Sequence, residues 1–169
     1  MNNDDLSQYS IDTLALRANL IRTEFGEHSE AMFPTISFVY KNAAEAASRF
    51  AGESEGYMYS RFTNPSVDMF EQRLAAMEGG EACIAFASGM AAIHALVMGT
   101  CQSGDHVVTS GAVFGTTLTL FNQLMPKFGV QCTVVNSTDP AAWHAAMKSN
   151  TKLVFCESPS NPTGEVFDI

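Results

Sequence analysis

The sequence predicts an α/β fold: a mostly parallel sheet with helices on both of its faces. Four short runs read as strands, namely ACIAFA (82–87), HVVTS (106–110), VQCTVVN (130–136) and KLVFCES (152–158). Segments with helical spacing separate them: Met90 to Met98, Thr116 to Phe128, and a stretch from Asp139-Pro140 to Lys148. Apolar strands rich in β-branched residues that alternate with helices need cover on both sides, which is the habit of parallel sheets.

The elements follow in order along the chain. Ser10 to Arg22 places Ile11, Leu14, Leu16, Leu20 and Ile21 roughly on one helical face. PTISFVY (34–40) reads as extended, and the Ala-rich stretch from Asn42 to Phe50 as a helix capped by Asn42. This early region has too little apolar periodicity for a core of its own. It is expected to pack on a later part of the chain or on another subunit. Near residue 64 the pattern becomes regular. Asn64-Pro65 is a helix start, with Asn at the cap and Pro at the first helical position. Val67, Phe70, Leu74 and Met77 then recur at three- and four-residue spacing, and Gly79 ends the helix. The first strand, 82–87, is expected to be buried. The alternating run closes at GEVFDI without a further strand, as expected of the first part of a larger sheet.

Composition narrows the function. The 169 residues are 46% hydrophobic and 16% charged, typical of a packed domain. A net charge of -9 repels nucleic acid and anionic lipid, so neither is expected as a partner. No run approaches the roughly 18 apolar residues of a membrane span. The polar, acidic start MNNDDLSQYS lacks the features of a targeting segment. Cys83, Cys101, Cys132 and Cys156 stand far apart, without disulfide or zinc spacing, and suit the reducing cytoplasm. Cys83 and Cys156 read as packing residues, and His94, in an apolar helix, as a satisfied core histidine. His28, His94, His106 and His144 make no metal-ligand spacing, and no metal is expected. The chain has no serine-hydrolase elbow and no glycine-rich nucleotide fingerprint.

Ligands of open α/β sheets bind at the carboxyl ends of the strands. At Ser88-Gly89-Met90 a strand runs straight into a helix, so first-turn N–H groups and the helix dipole can receive a phosphate. A plain strand–helix turn is an equal reading. In AVFGTT, Phe114 can stack on a flat ring or simply fill core. In ESPSNPTG, Glu157 and Asn161 can line a polar pocket, or the segment is a polar turn. Further back, the Arg61 guanidinium suits a phosphate and Tyr59 adds a hydroxyl donor, against the ordinary fate of a surface Arg beside a packed Tyr.

Taken together, YSRFTNPSVDMFEQRLAAMEGGE, ASGMAAI, VFGTT and ESPSNP resemble the Cys/Met-metabolism family of pyridoxal-phosphate (PLP) enzymes. That family includes cystathionine γ-synthase, cystathionine lyases, methionine γ-lyase and homoserine-ester sulfhydrylases. The resemblance implies the aspartate aminotransferase-like, fold type I architecture. It also implies an arm over residues 1–63 that contacts a neighbouring subunit, and the first part of the PLP-binding domain over 64–169. Gly89 and Met90, with Ser88 beside them, match the holders of the PLP phosphate. Tyr59 and Arg61 match a pair that reaches the phosphate of the neighbouring subunit. Phe114 matches the ring-stacking aromatic, Asn161 lies near the ring hydroxyl, and Glu157 lines the pocket.

Many members have Tyr where Phe114 stands. Phe114, GEHSEAMFPTISFVY and AASRFAGE resemble the O-succinylhomoserine sulfhydrylase branch. The reaction this implies is γ-replacement, with succinate leaving O-succinylhomoserine and sulfide entering to give homocysteine. A cystathionine γ-synthase or γ-lyase of the same family is the alternative. The family's Schiff-base lysine follows a later strand in a Ser-x-Thr-Lys setting, and these 169 residues lack that motif. The chain alone is therefore expected to be inactive. The resemblance implies a homo-oligomer, a tetramer built from dimers that share active sites. A reading of another class is a non-catalytic module that pairs with full-length subunits.

Overall fold

The structure, a computed structural model, describes residues 6–168. These form two compact units, one ending at Ala85 and the other beginning at Phe86.

In the first unit, α1 (Ile11–Arg17) is capped by Ser10, whose hydroxyl accepts from the Thr13 amide. Sequence spacing predicts a helix to Arg22, but it ends at Arg17. Ala18 turns extended and Asn19 takes a φ of 52°, a left-handed conformation that Asn tolerates better than most residues. α2 (Ala43–Phe50) starts as expected at Asn42, which accepts from the Glu45 amide. α3 (Pro65–Glu78) has the expected Asn64 cap and Pro65 start, and ends at Gly79 with φ 64°. α1 packs on α3, tied by Asn19 Nδ2 to the Gln72 carbonyl and by Arg73 to the Ala18 carbonyl. α3 thus belongs with the chain before it, so the compact units divide later than the change of pattern at residue 64. The extended segment 34–40 makes a single antiparallel bridge, Ser37 to Tyr59.

The predicted strand 82–87 is not a strand. Its large apolar side chains are uncovered, Ile84 74% and Phe86 46% exposed, so it is not buried either. A strand needs a neighbour for its backbone groups. The three strands of the sheet pair only with one another, and the Ala85 amide donates instead to the Glu71 carboxylate at 2.6 Å.

The second unit is the predicted α/β element. β1 (His106–Ser110) lies between β2 (Gln131–Val135) and β3 (Thr151–Phe155), all parallel. β1 is buried along its whole length, as a central strand should be. α4 (Gly89–Thr100) packs against β3 and against α5 (Gly115–Thr119). α6 (Pro140–Ala146) packs on β2. One face of the sheet joins Val97, Val107, Leu120, Phe121 and Met125 in a core, with Cys132, Leu153 and Phe155 against it. Val154 and Cys156, which alternate to the other face, line a cavity there together with Trp143 and Met147 of the α6 segment.

The helix predicted from Thr116 to Phe128 is continuous in space but changes type. After α5 come a π turn, Leu120–Leu124, and a 3-10 turn, Met125–Phe128. Pro126 has no N–H, so the Asn122 carbonyl loses its helical partner, and the Met125 amide reaches back five residues to Leu120. One smaller expectation also changes. His94 is half-buried with no hydrogen bond among the described residues, so it is not a satisfied core histidine. Cys83 and Cys156 are half-buried.

Candidate functional site

Three of the predicted loops converge within the second unit. Ser88 caps α4, its Oγ accepting from the Ala91 amide at 3.1 Å. The N–H groups of Gly89 and Met90 then have no partner among the described residues, as the first turn of a helix dictates. A Cβ on Gly89 would meet nothing within 4 Å, so the space before this turn is open. The Met90 sulfur accepts from the Thr116 hydroxyl at 3.3 Å and lies 3.7 Å from that of Thr117. These contacts join the first turn of α4 to the first turn of α5.

Phe114 precedes α5 and is 47% exposed, so it does not fill core. Its amide donates to both carboxylate oxygens of Glu157, each at 3.3 Å, and so joins the loop after β1 to the loop after β3. The loop that carries Asn161 is closed on itself. Ser158 Oγ accepts from the Phe167 amide and donates to the Phe167 carbonyl, and buried Ser160 accepts from the Glu165 amide. Asn161 stands exposed on this loop, its side chain without a partner among the described residues. The Ser158-Pro159 and Asn161-Pro162 bonds are cis.

Tyr59 and Arg61 lie in the first unit. The Arg61 guanidinium is 5.5 Å from the Tyr59 ring centre and 5.0 Å from that of Phe62. It is exposed and makes no ion pair among the described residues, which leaves its donors available to an anion.

Two contributions escape sequence reasoning. The Thr116 and Thr117 hydroxyls act on Met90, and only the pair of Thr at a helix start hinted at this. Asn136, after β2, approaches Gly111, after β1, so closely that a Cβ on Gly111 would lie 1.7 Å from its Oδ1. A glycine directly after a strand was the available signal. Thiol chemistry has no support at the strand ends. Burial pushes the Cys132 thiol up to about 11 and the Cys156 thiol above its ordinary range, so neither is a thiolate at neutral pH. No cluster of metal-ligating side chains occurs among the described residues. No described helix is long and apolar enough to cross a membrane.

Unpaired amides at a twelve-residue helix, an exposed aromatic ring and an exposed amide side chain suit a ligand with a phosphate, a flat ring and a ring oxygen. The donor set therefore fits pyridoxal phosphate, and the fold and these loops define an α/β cofactor-binding class.

Comparison with known proteins narrows that class. The model of the Cys/Met metabolism PLP-dependent enzyme family matches residues 12–169. The chain is 56% identical over 165 residues to O-succinylhomoserine sulfhydrylase of Pseudomonas aeruginosa, covering 98% of this chain and 41% of that one. It is 34% identical to L-methionine gamma-lyase of Treponema denticola, covering all of this chain and 42% of the relative. A crystal structure from Campylobacter jejuni, assigned as an O-acetylhomoserine (thiol)-lyase and containing N'-pyridoxyl-lysine-5'-monophosphate, superimposes with a TM-score of 0.86 at 33% identity. It covers 95% of this chain and 40% of that one. The chain belongs to the Cys/Met metabolism PLP-dependent enzyme family, and its fold is the first part of that α/β architecture. It spans about two fifths of the length of the curated relatives it matches.

Proposed function

We propose that the full-length protein carrying this sequence replaces the γ-substituent of O-succinylhomoserine with sulfide, giving homocysteine and succinate. The structural observation behind this reading is the exposed Phe114 at the start of α5, the helix whose Thr116 hydroxyl reaches Met90 in the first turn of α4, where the Gly89 and Met90 amides are free. The 56% identity to an O-succinylhomoserine sulfhydrylase supports the substrate. Bound PLP supplies an electron sink for carbanions formed on the amino-acid substrate.

The chain's own residues hold and orient that cofactor. Gly89 and Met90 donate backbone N–H groups to its phosphate, and the Ser88 cap keeps their turn in place. Phe114 covers one ring face, which fixes the ring and excludes water from that side. Having no hydroxyl, it cannot move a proton there, so proton transfers fall to other groups. Asn161 donates toward the ring oxygen, and Glu157 belongs to the same pocket wall. Tyr59 and Arg61 reach the phosphate of a neighbouring subunit in a cytoplasmic tetramer built from dimers. The lysine that anchors the cofactor is supplied by the remainder of the protein. Among the four lysines here, Lys152 sits on β3 and Lys41, Lys127 and Lys148 lie outside the three loops.

The test is an assay of the full-length protein with O-succinylhomoserine and sulfide, run beside cysteine as the thiol and methionine as substrate. Homocysteine formed from sulfide in preference to both other reactions is expected. Cystathionine as the main product, or thiol released from methionine, overturns the reading in favour of a synthase or a γ-lyase. The 169-residue chain alone is expected to lose its PLP absorbance on dialysis.

A further inference from the structure

We propose that Glu157, in the pocket wall, acts as a positioning residue: its carboxylate sets the backbone that carries Phe114, and thereby the height and tilt of the Phe114 ring. The inference rests on the reading of Phe114 as the ring that covers PLP.

The geometry around Phe114 is asymmetric. Its carbonyl is held by the helix it begins, accepting from the Thr117 amide at 2.8 Å and the Leu118 amide at 3.2 Å. Its own side chain offers α5 no cap. Its amide is held from outside the helix, among the described residues by Glu157 alone, 43 residues away in sequence. Both carboxylate oxygens lie at 3.3 Å, so the N–H points between them. Removing that acceptor frees one side of the Phe114 backbone, and rotation about φ swings the ring.

Glu157 is well placed for this task. It is half-buried and lies two residues beyond the end of β3. The next residue, Ser158, is pinned through its hydroxyl to the Phe167 backbone at 3.0 and 3.1 Å. The carboxylate therefore stands on a fixed base. It has no cation to serve: the ion pairs among the described residues are Arg49–Glu45 and Arg73–Glu30. A negative charge at the start of α5 also complements the helix dipole.

Two substitutions separate positioning from a direct charge effect. Glu157→Gln keeps the length and one oxygen acceptor but removes the charge. Glu157→Asp keeps the charge but withdraws the acceptor by one bond. In the full-length protein with PLP bound, visible circular dichroism per bound cofactor reports how the ring is held. Glu157→Gln is expected to retain most of the wild-type band and PLP affinity. Glu157→Asp is expected to lose most of the band and to weaken PLP binding about tenfold, the usual cost of a lost charge-assisted hydrogen bond. In the cofactor-free protein, amide exchange across residues 111–117 should accelerate in Glu157→Asp and not in Glu157→Gln.

Glu157→Gln failing while Glu157→Asp behaves as wild type overturns the proposal in favour of a charge that acts on the cofactor directly. Equal bands and equal exchange in all three proteins overturn it too. A wild-type protein that takes up no PLP overturns the cofactor reading itself. That outcome is visible in the wild type alone, before any variant is compared.

Discussion

Asn64 shows how much one side chain can hold at the residue scale. It is buried, its Oδ1 accepts from the Ser66 amide at 2.9 Å, and its Nδ2 donates to the Phe33 carbonyl at 2.9 Å and Ser60 Oγ at 3.0 Å. It therefore caps α3 and also fastens the preceding extended segment to that cap. Asn64→Ala removes the cap and leaves the Phe33 carbonyl without this donor. The expected cost is about 2–3 kcal/mol, read as a lower denaturant midpoint. Asn64→Asp keeps the cap acceptor and loses only the donations, so it should fall between the two. If Asn64→Ala denatures with the wild type, the cap is not holding the segment.

β1 joins the sheet through one residue at the element scale. His106 is fully buried at its start, and its two ring nitrogens lie 2.8 Å from Thr151 Oγ1 of β3 and Thr133 Oγ1 of β2. Burial holds its pKa below the ordinary value, and the Lys148 ammonium adds to this. The folded chain thus keeps a neutral imidazole where the unfolded chain is protonated. That contribution is complete above about pH 6.5 and is lost as pH falls from there toward the lowered folded value. Glu27, Glu30 and Glu45 have lowered values and titrate in the fold below the ordinary carboxylate range, outside this window. The denaturant midpoint is expected to drop between pH 7.5 and 5.5, and His106→Gln should flatten the slope. An unchanged slope in His106→Gln would place the proton uptake elsewhere.

The sequence was most legible where one local interaction decides an element. The caps at Asn42, Asn64, Ser88 and Asp139 stand where side-chain chemistry predicts them, and β1 matches its predicted bounds. Segment 82–87 was misread because a strand depends on a neighbour as well as on its own composition, and Ile84 finds none. The change of helix type after Thr119 was hidden because helical spacing says nothing of which carbonyl each amide selects. At the site, residue types and loops were readable, since strand ends are where α/β proteins bind. The Glu157–Phe114 contact was not, because it joins residues 43 apart through a backbone amide that sequence patterns do not show.

At the scale of the whole molecule, the described chain carries a great deal of uncovered apolar surface. Phe25 is 85% exposed, Met32 84%, Val39 94% and Ile84 74%. Surface of this kind marks association in a soluble protein. The isolated 169-residue chain is accordingly expected to elute from size exclusion as an associated species and to bind a hydrophobic dye. A clean monomer without dye binding would contradict this. In the full-length protein the same residues are expected to be protected from solvent labelling.

The order of strands also bears on how the protein is made. His106 meets Thr133, 27 residues downstream, and Thr151, 45 residues downstream. During translation the most buried strand is therefore produced first and remains bare until both neighbours have left the ribosome. At roughly 5–20 residues per second this delay is on the order of seconds. Slowing translation between β1 and β3 is therefore expected to lower the yield of folded protein while leaving the denaturant midpoint of the finished fold unchanged.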